Sequence, residues 1–236
     1  GEYFFLTRSI RAGKKANWNY IKNKGKKMGI WEGIKFSYNV LFHPIDTMEA
    51  VRSNKDRLNM AVPFIIMAVA YVVRIAYIYI VHYPLASIEI RDANALFEAV
   101  KLLIIPLTWV PALFAVTSIA DGESKFSEMF FTTSLILVPF IFVNTHLMFI
   151  SKLLSKTQQS WYGVFTSMVY VWMIIILFAA LKILNNYSIG KTIRMMIITL
   201  FVMLIIWLVL GMFYVLSARV IQFALGVFNE FRVSIL

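Results

Sequence analysis

Five long apolar runs, separated by short polar connectors, dominate this chain of 236 residues. They lie at about residues 60–82, 99–119, 129–150, 161–184 and 195–216. Each is close to the ~20 residues that a helix, rising ~1.5 Å per residue, needs to cross a ~30 Å hydrocarbon core. With 60% hydrophobic and 15% charged residues, the chain has too little polar surface for a water-soluble domain. The sequence therefore predicts an all-α, polytopic membrane protein with five transmembrane helices.

Basic residues are concentrated near the N-terminus. The formal net charge is +11, and more than half of the 23 Lys and Arg residues lie within residues 1–59. Because Lys and Arg accumulate in cytoplasmic loops, we expect the N-terminus inside and the C-terminus outside the cell membrane. This orientation also places the connectors 120–128 and 185–194 inside. The acidic residues of the first connector count little in this rule.

We predict three parts in the chain: a basic cytoplasmic tail at 1–27, interfacial and juxtamembrane helices at 28–59, and a five-helix membrane domain at 60–236. Within the second part, Ile30, Ile34 and Tyr38 recur at helical spacing, and Leu41 and Ile45 continue the same face. An amphipathic helix of this kind is expected to lie in the membrane interface.

The end of this interfacial helix is also predicted from the sequence. His43 precedes Pro44, and a residue before proline is disfavoured in a helix. Asp46 and Glu49 have the spacing of a capping box. They predict a second helix that continues directly into the first transmembrane run.

The basic tail contains aromatic residues, a combination that also occurs in proteins that bind nucleic acid. We favour contact with anionic lipids of the inner leaflet, because a polybasic segment beside a membrane span gains about 1 kcal/mol per basic residue there. A protein partner is the alternative, and nucleic acid is not expected. The candidate lipid or partner contacts are Arg8, Arg11, Lys14, Lys15, Trp18, Lys26, Lys27 and Trp31.

Arg74 is the most unusual residue of the apolar runs, because a guanidinium costs a few kcal/mol inside a transmembrane helix. Residues of other runs at the same predicted depth form a candidate polar layer with it: Arg74, Trp109, Asn144, His146, Thr166 and Ser167. Either this layer is a structural hydrogen-bond network, or it lines a cavity for an anionic or polar ligand. No acidic residue is expected within the hydrocarbon to pair with Arg74.

The two inner connectors resemble each other, since each places Gly, Ser and Lys just before a helix. Their candidate functional residues are Asp121, Gly122, Ser124, Lys125, Ser188, Gly190 and Lys191. The string SIGKT does not complete a phosphate-binding loop, because Asn185 occupies the position where that motif needs its first glycine.

No catalytic, cofactor-binding or metal-binding constellation is recognised in the sequence. Cysteine is absent, and the three histidines are scattered along the chain. We therefore expect no enzymatic activity and no cofactor.

Four segments together resemble the Yip-domain family, named after proteins that interact with Ypt/Rab GTPases, in its bacterial branch. They are LFHPIDTMEAVRSNKDR, ADGESKFSEMFFTTSLILVP, NNYSIGKTIRMMIITL and GVFNEFR, and the resemblance runs from about Phe36 to Arg232. It implies a five-helix bundle with a cytoplasmic N-terminus and no known enzymatic activity. Eukaryotic relatives act in vesicle traffic through small GTPases. Bacterial relatives often accompany sugar importers of the ATP-binding-cassette (ABC) type.

Two functional classes follow. The favoured one is a non-catalytic accessory or scaffold subunit of a membrane complex, with the permease of a solute (sugar) ABC importer as its partner. The alternative is a small stand-alone transporter or channel that uses the polar layer around Arg74. The sequence leaves open whether the last 18 residues continue the fifth span or lie along the outer surface.

Overall fold

The computed structural model describes residues 27–81, 85, 93–153 and 159–234, together with their side chains except those of 159 and 227–234. All regular secondary structure in these residues is helical. The helices are α1 (Ile30–Tyr38), α2 (Pro44–Ser53), α3 (Ala61–Ile80), α4 (Ala95–Ile119), α5 (Phe126–Leu135), α6 (Leu137–Ser151), α7 (Gln159–Leu184) and α8 (Ile189–Ser234). Short 3-10 turns occupy Asn39–Leu41 and Lys55–Arg57.

Five stretches are long and apolar enough to cross a membrane, by length and composition. They are Ala61–Ile80, Ala95–Ile119, Phe126–Ser151, Ser160–Leu184 and Ile189–Gly226. The prediction of an all-α membrane protein with five spans is therefore confirmed. The third span consists of two helices, α5 and α6.

The break between α5 and α6 has a local cause in Pro139. A proline has no N–H, and its ring clashes with the carbonyl four residues earlier, here that of Leu135. The chain turns at Ile136, whose N–H donates to the Thr133 carbonyl at 3.3 Å instead of continuing the α-helical ladder. By contrast, Pro63 lies in the first turn of α3, where no helical hydrogen bond is lost.

The helices pack in an order that brings distant parts of the chain together. The most extensive contacts are those of α4 with α8, α3 with α6, and α2 with α7. The main core lies where α3, α5, α6 and α7 meet, and it includes the fully buried Val62, Phe131, Leu135 and Ile176. Burying an aliphatic or phenyl side chain of this kind is worth roughly 1.5–3 kcal/mol against exposure to water, although lipid competes for the same surface.

The segment before the first span follows the prediction only in part. Helix α1 packs against α3, and Gly33 lies so close to Val62 that a Cβ atom would overlap the valine side chain. The predicted apolar face stays largely uncovered by protein, since Ile30, Tyr38 and Ile45 are about half exposed. Such a face suits contact with the membrane interface.

The second helix begins and ends earlier than the sequence suggested. Pro44 occupies its first turn, where its fixed φ favours a helical start, so α2 begins two residues before Asp46. The helix stops at Ser53, because the Asn54 side chain donates to the Ala50 carbonyl at 2.9 Å and a 3-10 turn follows. The prediction that this helix continues into the first span is therefore wrong.

Helix α8 is one unbroken helix of 46 residues. At ~1.5 Å per residue it is about 69 Å long, roughly twice the thickness of the hydrocarbon core. The last 18 residues therefore continue the helix of the fifth span as far as Ser234.

Candidate functional site

A compact ion cluster joins α3 and α4 near one end of the bundle. The Nε and one terminal nitrogen of Arg74 both lie 2.9 Å from Oε2 of Glu98. The Nζ of Lys101 donates to the other carboxylate oxygen, Oε1, at 2.9 Å. The Glu98 side chain is only 3% exposed, whereas those of Arg74 and Lys101 are 21% and 47% exposed. One buried carboxylate is thus shared by two cations.

The first turn of α4 explains why a carboxylate lies at this place. Asn94 caps the helix, and its Oδ1 accepts hydrogen bonds from the N–H groups of Leu96 and Phe97 at 3.0 and 3.2 Å. The helix N-terminus carries a partial positive charge that favours a negative side chain in this turn. The hairpin between α3 and α4 then brings Glu98 against Arg74, 24 residues earlier in the chain.

The expectation that Arg74 has no acidic partner is wrong. The second apolar run begins at about residue 99 in the sequence, but α4 begins at Ala95, so that Glu98 belongs to the helix. Arg74 lies six residues before the end of α3, about 9 Å from it along the axis. Because Glu98 lies in the first turn of α4, the arginine side chain extends toward the helix ends, where a guanidinium costs less than at mid-bilayer.

Beside this cluster lies a cavity of about 340 Å³ between α3, α6 and α7. Its lining combines one cation, three phenols, an amide and a hydroxyl with apolar side chains. The lining residues are Arg74, Tyr77, Leu85, Phe140, Asn144, Tyr162, Gly163, Thr166, Val169 and Tyr170. We refer to this space as the Arg74 cavity.

The hydroxyl groups of the Arg74 cavity are ordered by hydrogen bonds. The buried Tyr162 hydroxyl donates to the Tyr77 hydroxyl at 2.8 Å. The guanidinium carbon of Arg74 lies 5.9 Å from the centre of the Tyr77 ring, within the range of a cation–π contact. Asn144 donates to the Phe140 carbonyl at 2.8 Å, which fixes its amide at the cavity wall.

The structure brings only part of the predicted polar layer together. Arg74, Asn144 and Thr166 share the cavity, whereas the other three predicted residues lie elsewhere. Trp109 is 4% exposed in an apolar cluster of α4, α5, α7 and α8. His146 and Ser167 are exposed, and each bonds to a carbonyl of its own helix.

Sequence reasoning missed Glu98, Lys101, Tyr77, Tyr162 and Tyr170 at this site. Tyrosine is common in membrane helices, so a single phenol carries little signal in a sequence. Glu98 could have been found by extending the second span one turn toward its N-terminus, since a carboxylate in the first turn of a helix is favoured.

The two similar connectors meet at the opposite end of the bundle. The Ser124 hydroxyl donates to Oδ1 of Asn185 at 2.7 Å, and both side chains are buried. Each connector contains a residue in the left-handed region, Asp121 with φ 54° and Asn186 with φ 52°. Such residues commonly terminate helices in tight turns. The connectors therefore have matching turn geometry and a direct contact.

Tyr187 and Lys191 strengthen the contact between the connectors. The Tyr187 hydroxyl and the Lys191 ammonium donate to the same carbonyl, that of Ala120, at 3.1 and 2.9 Å. The ammonium also lies 4.2 Å from the centre of the Tyr187 ring. Burial, reinforced by the Asp121 carboxylate, raises the pKa of Tyr187, so that its hydroxyl stays protonated as a donor. Of the other predicted connector residues, Lys125, Ser188 and Gly190 are exposed.

Gly122 is the tightest point of this contact. A Cβ atom on Gly122 would lie 2.7 Å from Oδ1 of Asn185 and 2.9 Å from the Thr117 carbonyl oxygen. We expect Gly122→Ala to lower the free energy of unfolding by about 1–3 kcal/mol, because a backbone atom cannot move away easily. Thermal unfolding in detergent measures this effect. Gly190→Ala is the matched control, because nothing lies within 4 Å of a Cβ there, and an equal loss in both variants would contradict the prediction.

Helix α2 and the 3-10 turn that follows it are bound to this end of the bundle by two ion pairs. Arg52 and Glu123 approach to 2.7 Å on the surface, with 33% and 53% of their side chains exposed. Lys55 lies 3.2 Å from the carboxylate of Glu128, which is 1% exposed. Among the described residues, neither oxygen of this carboxylate accepts a hydrogen bond, so Lys55 is its main source of stabilisation.

The candidate contacts of the basic tail lie mostly outside the described residues. Arg8, Arg11, Lys14, Lys15, Trp18 and Lys26 belong to this part of the chain. Lys27 is exposed, and Trp31 is 82% exposed on α1. Trp31 is thus positioned as a contact, whether to lipid or to protein.

The second half of α8 has few neighbours in the described part of the chain. Its contact with α4 includes a hydrogen bond from Nε1 of Trp207 to the Thr108 hydroxyl at 3.0 Å. From Leu208 to Gly226 every side chain is exposed except Ala218, which is half-buried. The large exposed side chains are Leu208, Val209, Leu210, Met212, Phe213, Tyr214, Val215, Leu216, Val220, Ile221, Phe223 and Leu225.

Comparison with known proteins gives one match. The model of the Yip1 domain matches residues 38–210, which is more than two thirds of the chain. No curated protein and no solved structure matches the chain. The matched residues include α3 to α7 and the half of α8 that packs against the bundle.

Proposed function

This chain belongs to the Yip1 domain family, a family of membrane proteins, and we propose that it is a non-catalytic scaffold subunit that binds another integral membrane protein. The family and the five spans support a multi-pass membrane protein. In this proposal the protein binds its partner through one face of a helix and catalyses no reaction.

The length and exposure of α8 carry this proposal. Arg194 and Arg219 mark polar positions 25 residues apart, about 38 Å along the helix, which fits a membrane crossing with its interfaces. The helix continues as far as Ser234, and its apolar side chains Val220, Ile221 and Phe223 lie past Arg219. Lipid tails cover apolar residues only within the membrane. An apolar surface that runs through the membrane and past it fits a partner with both a transmembrane and an adjoining extramembrane part.

We further propose the permease of a solute ABC importer, in a bacterial cell membrane, as that partner. This part of the proposal rests on the family resemblance, whose bacterial members often accompany sugar importers. A permease has the required parts, since its helices lie in the membrane and its loops extend past it. The anionic lipid of the inner leaflet is the proposed second contact, through the basic residues at 1–27.

Co-purification in a mild detergent tests the association. We expect the wild-type protein to carry a permease in fixed ratio, identified by mass spectrometry, and Phe223→Asp to release it. Gln222→Asp is the matched control, because it adds the same charge at an already polar, exposed position. Recovery of the wild-type protein alone, or only with a second copy of itself, would refute the proposed partner.

The proposed orientation places the N-terminus inside and the end of α8 outside. The structure puts α1, α2 and both connectors at one end of the bundle, and this end holds most of the basic residues that the structure describes. Because the chain has no cysteine, single substitutions report location cleanly. Gly190 and Gly226 both have open space around a Cβ atom. We expect an impermeant thiol reagent to label Gly226→Cys on intact cells and Gly190→Cys only after lysis; the reverse pattern would invert the topology.

Stand-alone transport is the second candidate function, and the Arg74 cavity favours it. A transporter needs a route from this cavity to the opposite end of the bundle. The neighbouring Leu135, Leu137 and Ile176 belong to the packed apolar core, with no more than 4% of each exposed. This packing favours a site that binds over one that conducts, so transport ranks second.

A further inference from the structure

We propose that the Arg74 cavity is a binding site for a phosphate group, carried by a phospholipid of the membrane leaflet at that end of the bundle. This goes beyond association with a protein partner. It rests on the charge of the ion cluster, on the hydrogen-bond donors in the cavity wall and on the amphipathic lining.

The ion cluster has a surplus positive charge. Arg74 and Lys101 are cations, and Glu98 is the one carboxylate among the described residues that both contact. Arg74 uses Nε and one terminal nitrogen on Oε2, while Lys101 occupies Oε1. A guanidinium has five N–H groups, so Arg74, which also lines the cavity, retains donors that Glu98 does not use. These donors suit the oxygens of an anion, and phosphate is one of the two anionic groups, with carboxylate, whose geometry the planar guanidinium matches.

The wall of the cavity adds neutral donors. Tyr77 accepts a hydrogen bond from Tyr162, so the proton of the Tyr77 hydroxyl is free to be donated in turn. The Asn144 amide uses one N–H on the Phe140 carbonyl and retains a second. Tyr170 also lines the cavity and carries a further hydroxyl donor. Among the described lining residues, the charged group is a cation and no carboxylate is present.

The apolar lining indicates a lipid rather than a soluble anion. Leu85, Phe140 and Val169 line the same cavity as Arg74. Its volume of about 340 Å³ is within the range of small-ligand sites. Arg74 lies about 9 Å along α3 from the helix end, and its side chain extends toward the interface to reach Glu98 in the first turn of α4. A phospholipid can place its phosphate on Arg74 and its glycerol and first methylenes against the apolar side chains.

Thermal unfolding of the purified protein in detergent, with added ligand, tests this site. The probes are phosphatidylglycerol, a diacylglycerol with the same acyl chains, and sodium phosphate. A ligand that binds the folded state raises the Tm in proportion to the logarithm of its concentration above Kd. We expect phosphatidylglycerol to raise the Tm and diacylglycerol to leave it unchanged. If sodium phosphate raises the Tm as much as phosphatidylglycerol does, the cavity is a phosphate site that takes soluble phosphate. If diacylglycerol raises the Tm equally, or if no probe raises it, the proposed phosphate site is wrong.

Two variants tie the effect to the cavity. Arg74→Lys keeps a cation beside Glu98 but removes the planar guanidinium. We expect phospholipid binding to be roughly 10- to 100-fold weaker, because one or more charged hydrogen bonds to the phosphate are lost. Tyr170→Phe removes one hydroxyl from a side chain that is 56% exposed, so folding is preserved, and a smaller loss of up to roughly 10-fold is expected. Tyr214→Phe, on the exposed face of α8, is the control and should bind as the wild type does. Unchanged affinity in both cavity variants would contradict the site.

Discussion

Glu98→Ala is expected to lower the free energy of unfolding by about 3 kcal/mol, because it removes the carboxylate that pairs with the partly buried Arg74. Two nitrogens of Arg74 bond to Glu98, and only 21% of the arginine side chain is exposed. Lys101 contributes less to the loss, since it is 47% exposed and can turn toward the interface. Unfolding of the detergent-solubilised protein, followed by circular dichroism, measures the change.

A double variant distinguishes the effect of breaking the Arg74–Glu98 ion pair from an effect on the N-terminal cap of α4. Arg74→Leu combined with Glu98→Leu replaces both charges with apolar groups and is expected to recover most of the stability, as buried pairs often exchange for apolar residues at little cost. Asn94, which caps α4, is unchanged in it. A double variant as unstable as Glu98→Ala would show that the site needs the charges themselves.

Lys55→Met is expected to destabilise the protein by about 3–5 kcal/mol, because it leaves the Glu128 carboxylate buried without its cation. Glu128 is 1% exposed, and Lys55 lies 3.2 Å from it. Lys55 also donates to the Glu123 carbonyl at 3.3 Å, so the variant loosens α2 from the connector 120–125. Chemical unfolding in detergent would record the loss.

The neighbouring ion pair is the matched control for Lys55. Arg52→Met removes the partner of Glu123, whose side chain is 53% exposed, and an exposed pair is worth only about 0–1 kcal/mol. Lys55→Met with Glu128→Leu should restore stability relative to Lys55→Met alone. If Arg52→Met and Lys55→Met cost the same, burial of Glu128 is not the source of the effect.

The sequence predicts the spans well because each span is a local property. A run of about 20 apolar residues specifies its own helix, so α3, α4 and α7 lie close to the predicted limits. The α5–α6 break follows from Pro139, and α5 starts at Phe126, before the predicted run. Helix α8 exceeds its apolar run because no proline or other strong helix breaker follows Leu216.

The candidate site was predicted less completely, because it depends on which helix faces meet. Equal depth placed Arg74, Asn144 and Thr166 at one level, and packing brought these three to one cavity. Depth carries no information on rotation about the helix axis, which directs Trp109 into the α4–α8 core and leaves His146 exposed. The contact between Ser124 and Asn185 likewise joins two connectors that are 61 residues apart in sequence.

Photo-crosslinking in native membranes tests the proposed association through α8 most directly. A photoreactive amino acid replaces Phe223, which is 74% exposed beyond Arg219, and a second one replaces Phe165, 55% exposed on α7, as the control. The proposed scaffold function predicts an adduct between position 223 and an importer permease, identified by mass spectrometry, and no such adduct from position 165. The proposed scaffold function would be contradicted if position 223 formed adducts only with lipid, or only with a second copy of this chain.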